Sequence, residues 1–119
     1  MTPVNWFQLA CFLGFTGVLA GAFGAHALKG TVTADRLEAF QTGVQYQLVH
    51  APALILASLS CDEWSVCARW FLAIGVFLFS GSLYFLVLLD LPQLGAITPL
   101  GGICMLIGWA TLGLSAKGR

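Results

Sequence analysis

His50 stands in the densest polar cluster of an otherwise apolar chain, with Gln45, Tyr46 and Gln47 just before it. Tyr46 precedes it by four residues and Gln47 by three, a spacing that crowds these side chains toward one side of a helix. An imidazole beside amides and a phenol can pass a proton, hold a polar substrate, or satisfy its own hydrogen bonds. Ser80 and Ser82 lie in the middle of a different apolar run and can supply hydroxyls at a similar depth. An ionisable group inside a membrane is a functional candidate by default. The blander reading, a neutral histidine satisfied by Gln, Tyr or Ser neighbours, is the favoured one.

His26 raises a second chemistry, bis-histidine haem ligation with His50. Depth argues against it. His26 ends the first apolar run where the second begins, and His50 is roughly 15 Å deeper by helical rise. Cys11, Cys61, Cys67 and Cys104 form no C-x-x-C pair and have no ligand set around them, so no metal site is expected. No acidic residue falls near the depth of Ser80, Ser82 and His50, so no catalytic triad is readable. The expectation is a non-enzyme without cofactor, in which Gln45, Tyr46, Gln47, His50, Ser80, Ser82 and His26 form a polar interior patch.

The elements that position these residues follow from charge. The stretches 1–28, 39–61, 70–89 and 91–116 carry no Asp, Glu, Lys or Arg. A charge at the bilayer centre costs about 2.5–3.5 kcal/mol or more, so clearing four windows predicts four membrane spans. Hydrophobic residues make up 59% and charged residues 8%, against about 45–50% and 25% in soluble domains. That excess cannot be buried in a water-soluble core of this size. Zero formal net charge speaks against a nucleic-acid partner. The chain therefore reads as one all-α domain over 1–119, an integral membrane four-helix bundle with both termini on the same side. The spans are expected at about 6–28, 40–59, 70–89 and 99–115, with an interfacial amphipathic turn at about 33–40. The Ala25-His26-Ala27 triplet resembles a leader cleavage site, but the apolar run before it is too long and has no basic flank.

Local signals refine the ends. Lys29 suits a helix C-terminus and Gly30 the position after it. Thr33 can cap the second helix, with Asp35 in its first turn, and Leu37, Phe40 and Val44 share an apolar face with Ala34. Pro52 should kink that helix. Ser60-x-x-Glu63 has the form of a capping box, and Thr98-Pro99 of a helix start with Thr98 as cap. Gly14, Gly17, Gly21 and Gly24, with Ala25, form a small-residue stripe that lets backbones approach closely in lipid. Packing inside the bundle is favoured over a dimer face. Trp6, Trp64, Trp70 and Trp109 are expected as one aromatic belt on the side of the termini. That side carries Arg69, Lys117 and Arg119 against Lys29 and Arg36 on the other, which points to cytoplasmic termini.

Four segments carry a family resemblance: Leu19-Ala20-Gly21-Ala22-Phe23-Gly24-Ala25-His26-Ala27-Leu28, Thr42-Gly43-Val44-Gln45-Tyr46-Gln47-Leu48-Val49-His50-Ala51, Phe79-Ser80-Gly81-Ser82-Leu83-Tyr84, and Ile97-Thr98-Pro99-Leu100-Gly101-Gly102. One per helix and in order, they resemble the YgdD-like family of small inner-membrane proteins of bacteria. The resemblance implies a four-span protein of the cytoplasmic membrane and brings no activity with it.

The expected role is an accessory or structural subunit, in contact with membrane lipids and either a membrane-protein partner or further copies of itself. A small oligomeric transporter or channel using the Gln/Tyr/His patch is the alternative, and a lipid- or quinone-binding bundle the second alternative.

Overall fold

The computed structural model describes residues 4–116. Four helices account for nearly all of it: α1 (Trp6–Phe23), α2 (Ala34–Ser58), α3 (Glu63–Leu88) and α4 (Thr98–Ala116). A π-helical turn, Gly24–Leu28, extends α1, and a 3₁₀ turn, Pro92–Ala96, precedes α4. The expected all-α architecture holds. Three segments are long and apolar enough to cross a membrane: Trp6–Leu28, Glu63–Leu88 and Pro92–Ser115. The α2 helix is absent from that set because Gln41, Gln45, Gln47 and His50 lower its mean hydropathy. It is one of the two inner helices, with α3. It packs against α1 on one side and α3 on the other, while α4 packs on α3.

Glycine sets how closely these helices approach. Across the α1–α2 seam a Cβ on Gly17 would come within 2.7 Å of Leu48, and one on Gly24 within 3.0 Å of Phe40. Gly21 faces Val44 closely, at 3.3 Å, whereas a Cβ on Gly14 would meet Ala51 at an ordinary 3.8 Å. The stripe is therefore occupied inside the chain. Ala25 is not part of it: the π-helical turn rotates it to the exposed surface. A second seam, absent from the sequence reading, joins α3 to α4. A Cβ on Gly101 would lie 2.4 Å from the backbone nitrogen of Phe79, and one on Gly75 2.6 Å from Met105. Lipid offers no hydrophobic drive between helices, so such backbone contacts carry the association through dispersion.

The apolar core falls into two parts. Leu13, Leu54, Leu72 and Val76 belong to one, which lies toward the start of α1. Leu28, Phe40, Val44 and Val87 form the other, at the far end of the bundle. Along α2, Gln47 and His50 come between them.

The charged hinges cap helices. Thr33 accepts from the Arg36 N–H at 3.3 Å, as expected for an N-cap, and Gly30 adopts φ +87°, the left-handed region open to glycine. The Ser60-x-x-Glu63 capping box does not form. Asp62 is the N-cap of α3: its Oδ1 accepts from Ser65 N at 3.0 Å, and its Oδ2 accepts from the Ser115 hydroxyl at 2.8 Å. These donors hold the Asp62 carboxyl below the usual carboxylate range, the Ser115 bond most of all. Arg69 caps the end of α2 by donating to the carbonyls of Ala57, at 3.1 Å, and Ser60. At the other end Arg36 donates to Leu86 O at 3.0 Å and pairs with Asp90 at 2.9 Å. Arg69 thus satisfies a carbonyl that the end of α2 leaves open, and Arg36 adds a second donor to Leu86 O, which also accepts from Leu91 N at 3.0 Å. Lys117 and Arg119 lie outside the described residues.

Thr98 also departs from expectation. The Gly101 N–H is received by Ile97 O, which makes Ile97 the residue before the helix. The Thr98 hydroxyl instead meets Ser82 Oγ at 2.6 Å.

Candidate functional site

Gln47 and Gln45 are two residues apart, so about 200° separates them around the helix. Gln47 turns inward and is buried. Gln45 turns outward and is exposed. The inward amide is a hub. Its Nε2 donates to Leu13 O and to Thr16 Oγ1, both at 2.8 Å, and its Oε1 accepts from the Tyr84 hydroxyl at 2.6 Å. Gly17 lies alongside, where a Cβ would clash with Leu48 at 2.7 Å but meet Gln47 only at an ordinary 3.5 Å contact. One side chain of α2 thereby ties α1 to α3. Ser80 adds a further tie from α3 by donating to Gly43 O at 2.7 Å, beside the glycine that admits Tyr84.

His50 is buried and faces another neighbour. Its Nδ1 lies 2.7 Å from Tyr46 O, and its Nε2 lies 2.9 Å from the indole Nε1 of Trp109 on α4. An indole N–H only donates, so Nε2 must be the bare acceptor and Nδ1–H the donor to Tyr46 O. Both ring nitrogens are therefore used in a single neutral tautomer. Trp109 consequently sits at the depth of His50 instead of joining an interfacial belt, whereas Trp6 and Trp70 do meet edge to face at 4.9 Å. The exposed Tyr46 ring covers His50, stacked at 6.1 Å, and packs on Phe79 at 4.4 Å.

The expected single patch is therefore divided. Gln47 and Ser80 belong to an α1–α2–α3 network, and His50 to an α2–α4 contact. Ser82 bonds Phe79 O at 2.9 Å and Thr98, on the α4 side of α3. Gln45 and His26 are not interior at all: both are exposed, and His26 lies on the π-helical turn. Thr16, Tyr84 and Trp109 are the partners that sequence reasoning missed. Thr16 and Trp109 interrupt otherwise apolar helix faces, a signal that is weak without knowing the helix pairing. Among the described residues, no buried side-chain nitrogen or oxygen lacks a hydrogen-bond partner, and no His, Cys, Asp and Glu set is arranged for a metal ion.

One cavity adjoins the Gln47 network. It is a half-open cleft of about 330 Å³ between α1 and α3, with Phe12, Thr16 and Ala20 on one wall and Phe77, Gly81 and Tyr84 on the other. Gln47 forms its floor.

A small helical protein with membrane-crossing segments and a hydrogen-bonded polar layer between apolar cores is the class that this fold defines. Residues 20–102 match a family model described as a protein of unknown function (DUF423), and the chain belongs to that family. It is 42% identical to the UPF0382 membrane protein YwdK of Bacillus subtilis over 101 residues, 81% of this chain and 82% of that one. It is 40% identical to the UPF0382 inner membrane protein YgdD of Escherichia coli K12 over 116 residues, 94% and 88% of the two chains. A third relative, the UPF0382 membrane protein SAB0533 of Staphylococcus aureus, shares 40% over 95 residues, 77% of this chain and 78% of its own. No solved structure matches the chain. The resemblance read from the four motifs is thus confirmed at the level of the family.

Proposed function

We propose that this protein is an accessory or structural subunit of the bacterial inner membrane, without catalysis of its own, acting through contact with a membrane-protein partner or with further copies of itself. The observation that carries this reading is the closed hydrogen-bond inventory of the interior. Catalytic and transport sites keep polar groups available to a substrate. Here Gln47, Ser80, Tyr84 and His50 are all engaged with other parts of the chain. Polar groups used in this way make a bundle rigid and specific, which suits a docking element.

The transporter reading needs the Gln/Tyr/His patch to form one path. Its members face different helices, and no carboxylate or ammonium group lies in 39–61 beside His50. Extraction from native membranes into polymer nanodiscs, followed by native mass spectrometry, tests the proposal. A stoichiometric partner or a defined homo-oligomer is expected. A strictly monomeric chain without partner overturns it, and a pH-dependent flux in liposomes abolished by His50→Ala favours transport instead.

A further inference from the structure

The cleft between α1 and α3 has a shape and chemistry that select one kind of occupant. The two helices touch through Trp6 and Trp70 at one end and stand apart alongside Gln47. The gap follows from two small residues, Ala20 and Gly81. A Cβ added to Gly81 would meet nothing within 4 Å. Phe12 and Phe77 form the rim and are 58% and 55% exposed, so the cleft opens sideways. All its lining residues come from the middle of membrane-spanning segments and from the adjoining part of α2. The surrounding medium there is hydrocarbon.

The volume of about 330 Å³ exceeds the roughly 150 Å³ that admits a benzene-sized guest into an apolar cavity. A group that fills such a cleft gains dispersion contacts along its walls, and the medium at this depth is acyl chain. The donors of the polar floor are already engaged. Both N–H groups of Gln47 go to Leu13 O and Thr16 Oγ1. The hydroxyls of Thr16, Ser80 and Tyr84 go to Phe12 O, Gly43 O and Gln47 Oε1. A quinone offers carbonyl acceptors, and a fatty acid head offers a carboxylate. Neither finds a free donor here.

We infer that this cleft is a binding site for one acyl chain of a bilayer phospholipid, held between α1 and α3 over Gln47 and gated by Ala20 and Gly81. The lipid completes the packing of α1, which otherwise leans on α2 alone along this stretch.

The test reconstitutes the full chain in phosphatidylethanolamine and phosphatidylglycerol vesicles that carry a phospholipid with a mid-chain diazirine. After photolysis, peptide mapping locates the crosslinks. Labelling is expected to concentrate on Phe12, Thr16, Phe77 and Gly81, several-fold above the outward-facing Phe15 and Phe23. Gly81→Leu and Ala20→Leu each place a side chain in the gap, and most of the cleft labelling should disappear while helicity and melting temperature are kept. Gly113→Leu, where a Cβ is also unobstructed but which lies on α4, should leave the labelling unchanged. Even labelling over all lipid-facing residues overturns the inference. So does equal labelling in the wild type and Gly81→Leu, or a quinone recovered by extraction in place of the acyl chain.

Discussion

The indole of Trp109 donates to Nε2 of His50 across 2.9 Å, the one side-chain hydrogen bond found between α2 and α4 among the described residues. It assigns the histidine a neutral tautomer, because the opposite nitrogen must then donate to Tyr46 O. Trp109→Phe keeps an aromatic ring but removes the donor and one ring of the indole. It should cost about 0.5–2 kcal/mol, the range for interhelical bonds in membranes. His50→Phe should cost more by leaving the indole N–H without its acceptor. A double-mutant cycle followed by thermal unfolding in detergent should return a coupling of the same order as the Trp109→Phe cost. A coupling near zero would show the bond to be incidental.

Gln47 and Gln45 form a matched pair for a second experiment, since they share a residue type and a helix but face opposite ways. Gln47→Leu strands the Tyr84 hydroxyl, while Thr16 keeps its bonds to Phe12 O and Leu13 O, and an unsatisfied buried group costs about 1–3 kcal/mol. Gln45→Leu touches none of these and should leave the melting temperature unchanged or slightly raised. Equal effects at the two positions would contradict the hub.

The contrast also shows what was legible in the sequence. Charge clearing gave four helices because the cost of intramembrane charge acts locally and leaves a run of residues as its trace. Thr33 and Gly30 were legible for the same reason: each answers to its own few neighbours. Which of two glutamines turns inward depends on Leu13 and Thr16 of another helix, and no local rule holds that information. The misread cap at 60–63 has a similar cause. Ser60-x-x-Glu63 and Asp62-x-x-Ser65 overlap, and Ser115, more than fifty residues away, supports the second of them.

The α3–α4 seam predicts sharply different costs for neighbouring glycines. Gly101→Ala would set a methyl group 2.4 Å from the Phe79 nitrogen and 2.8 Å from Gly75 O. Backbone cannot rotate away as a side chain can. Overpacking penalties of about 1–3 kcal/mol should therefore be met or exceeded. At Gly102 a Cβ meets nothing within 4 Å, and the alanine there should stabilise the helix by about 0.5–1 kcal/mol. Melting temperatures of the two variants should move in opposite directions.

Asp62 gives the bundle an acid-sensitive clasp. Its folded carboxyl titrates below the usual range, so the folded state binds the proton less readily than the unfolded chain. Stability from this group is complete above the unfolded carboxylate value and is lost as pH falls through the lowered folded one. Melting temperature measured from about pH 6 to 3 should drop at the acid end. Asp62→Asn should flatten that part of the curve and Ser115→Ala should reduce it. An unchanged acid limb in Asp62→Asn would assign the effect to other carboxylates.

Orientation can be read from the same end of the molecule. The cap of α3 and the last turn of α4 are joined by Asp62 and Ser115, and the first residues of α1 lie beside Ser58 and Leu59. The 59–62 turn therefore lies at the same end of the bundle as the start of α1 and the last turn of α4. Positive-inside counting weighs Lys and Arg whatever their ion pairs, so Arg36 still counts for the far end despite its contact with Asp90. Arg69 lies close to the turn, Lys117 and Arg119 follow α4 in the sequence, and Lys29 and Arg36 belong to the opposite end, so the expected orientation puts the turn in the cytoplasm. Cys61 is exposed in that turn and supplies the probe. A chain whose other cysteines, Cys11, Cys67 and Cys104, are replaced by Ala should react with a membrane-impermeant maleimide in inside-out vesicles and resist it in spheroplasts. The reverse pattern would place the ends outside and show that a margin of one positive charge does not orient this bundle.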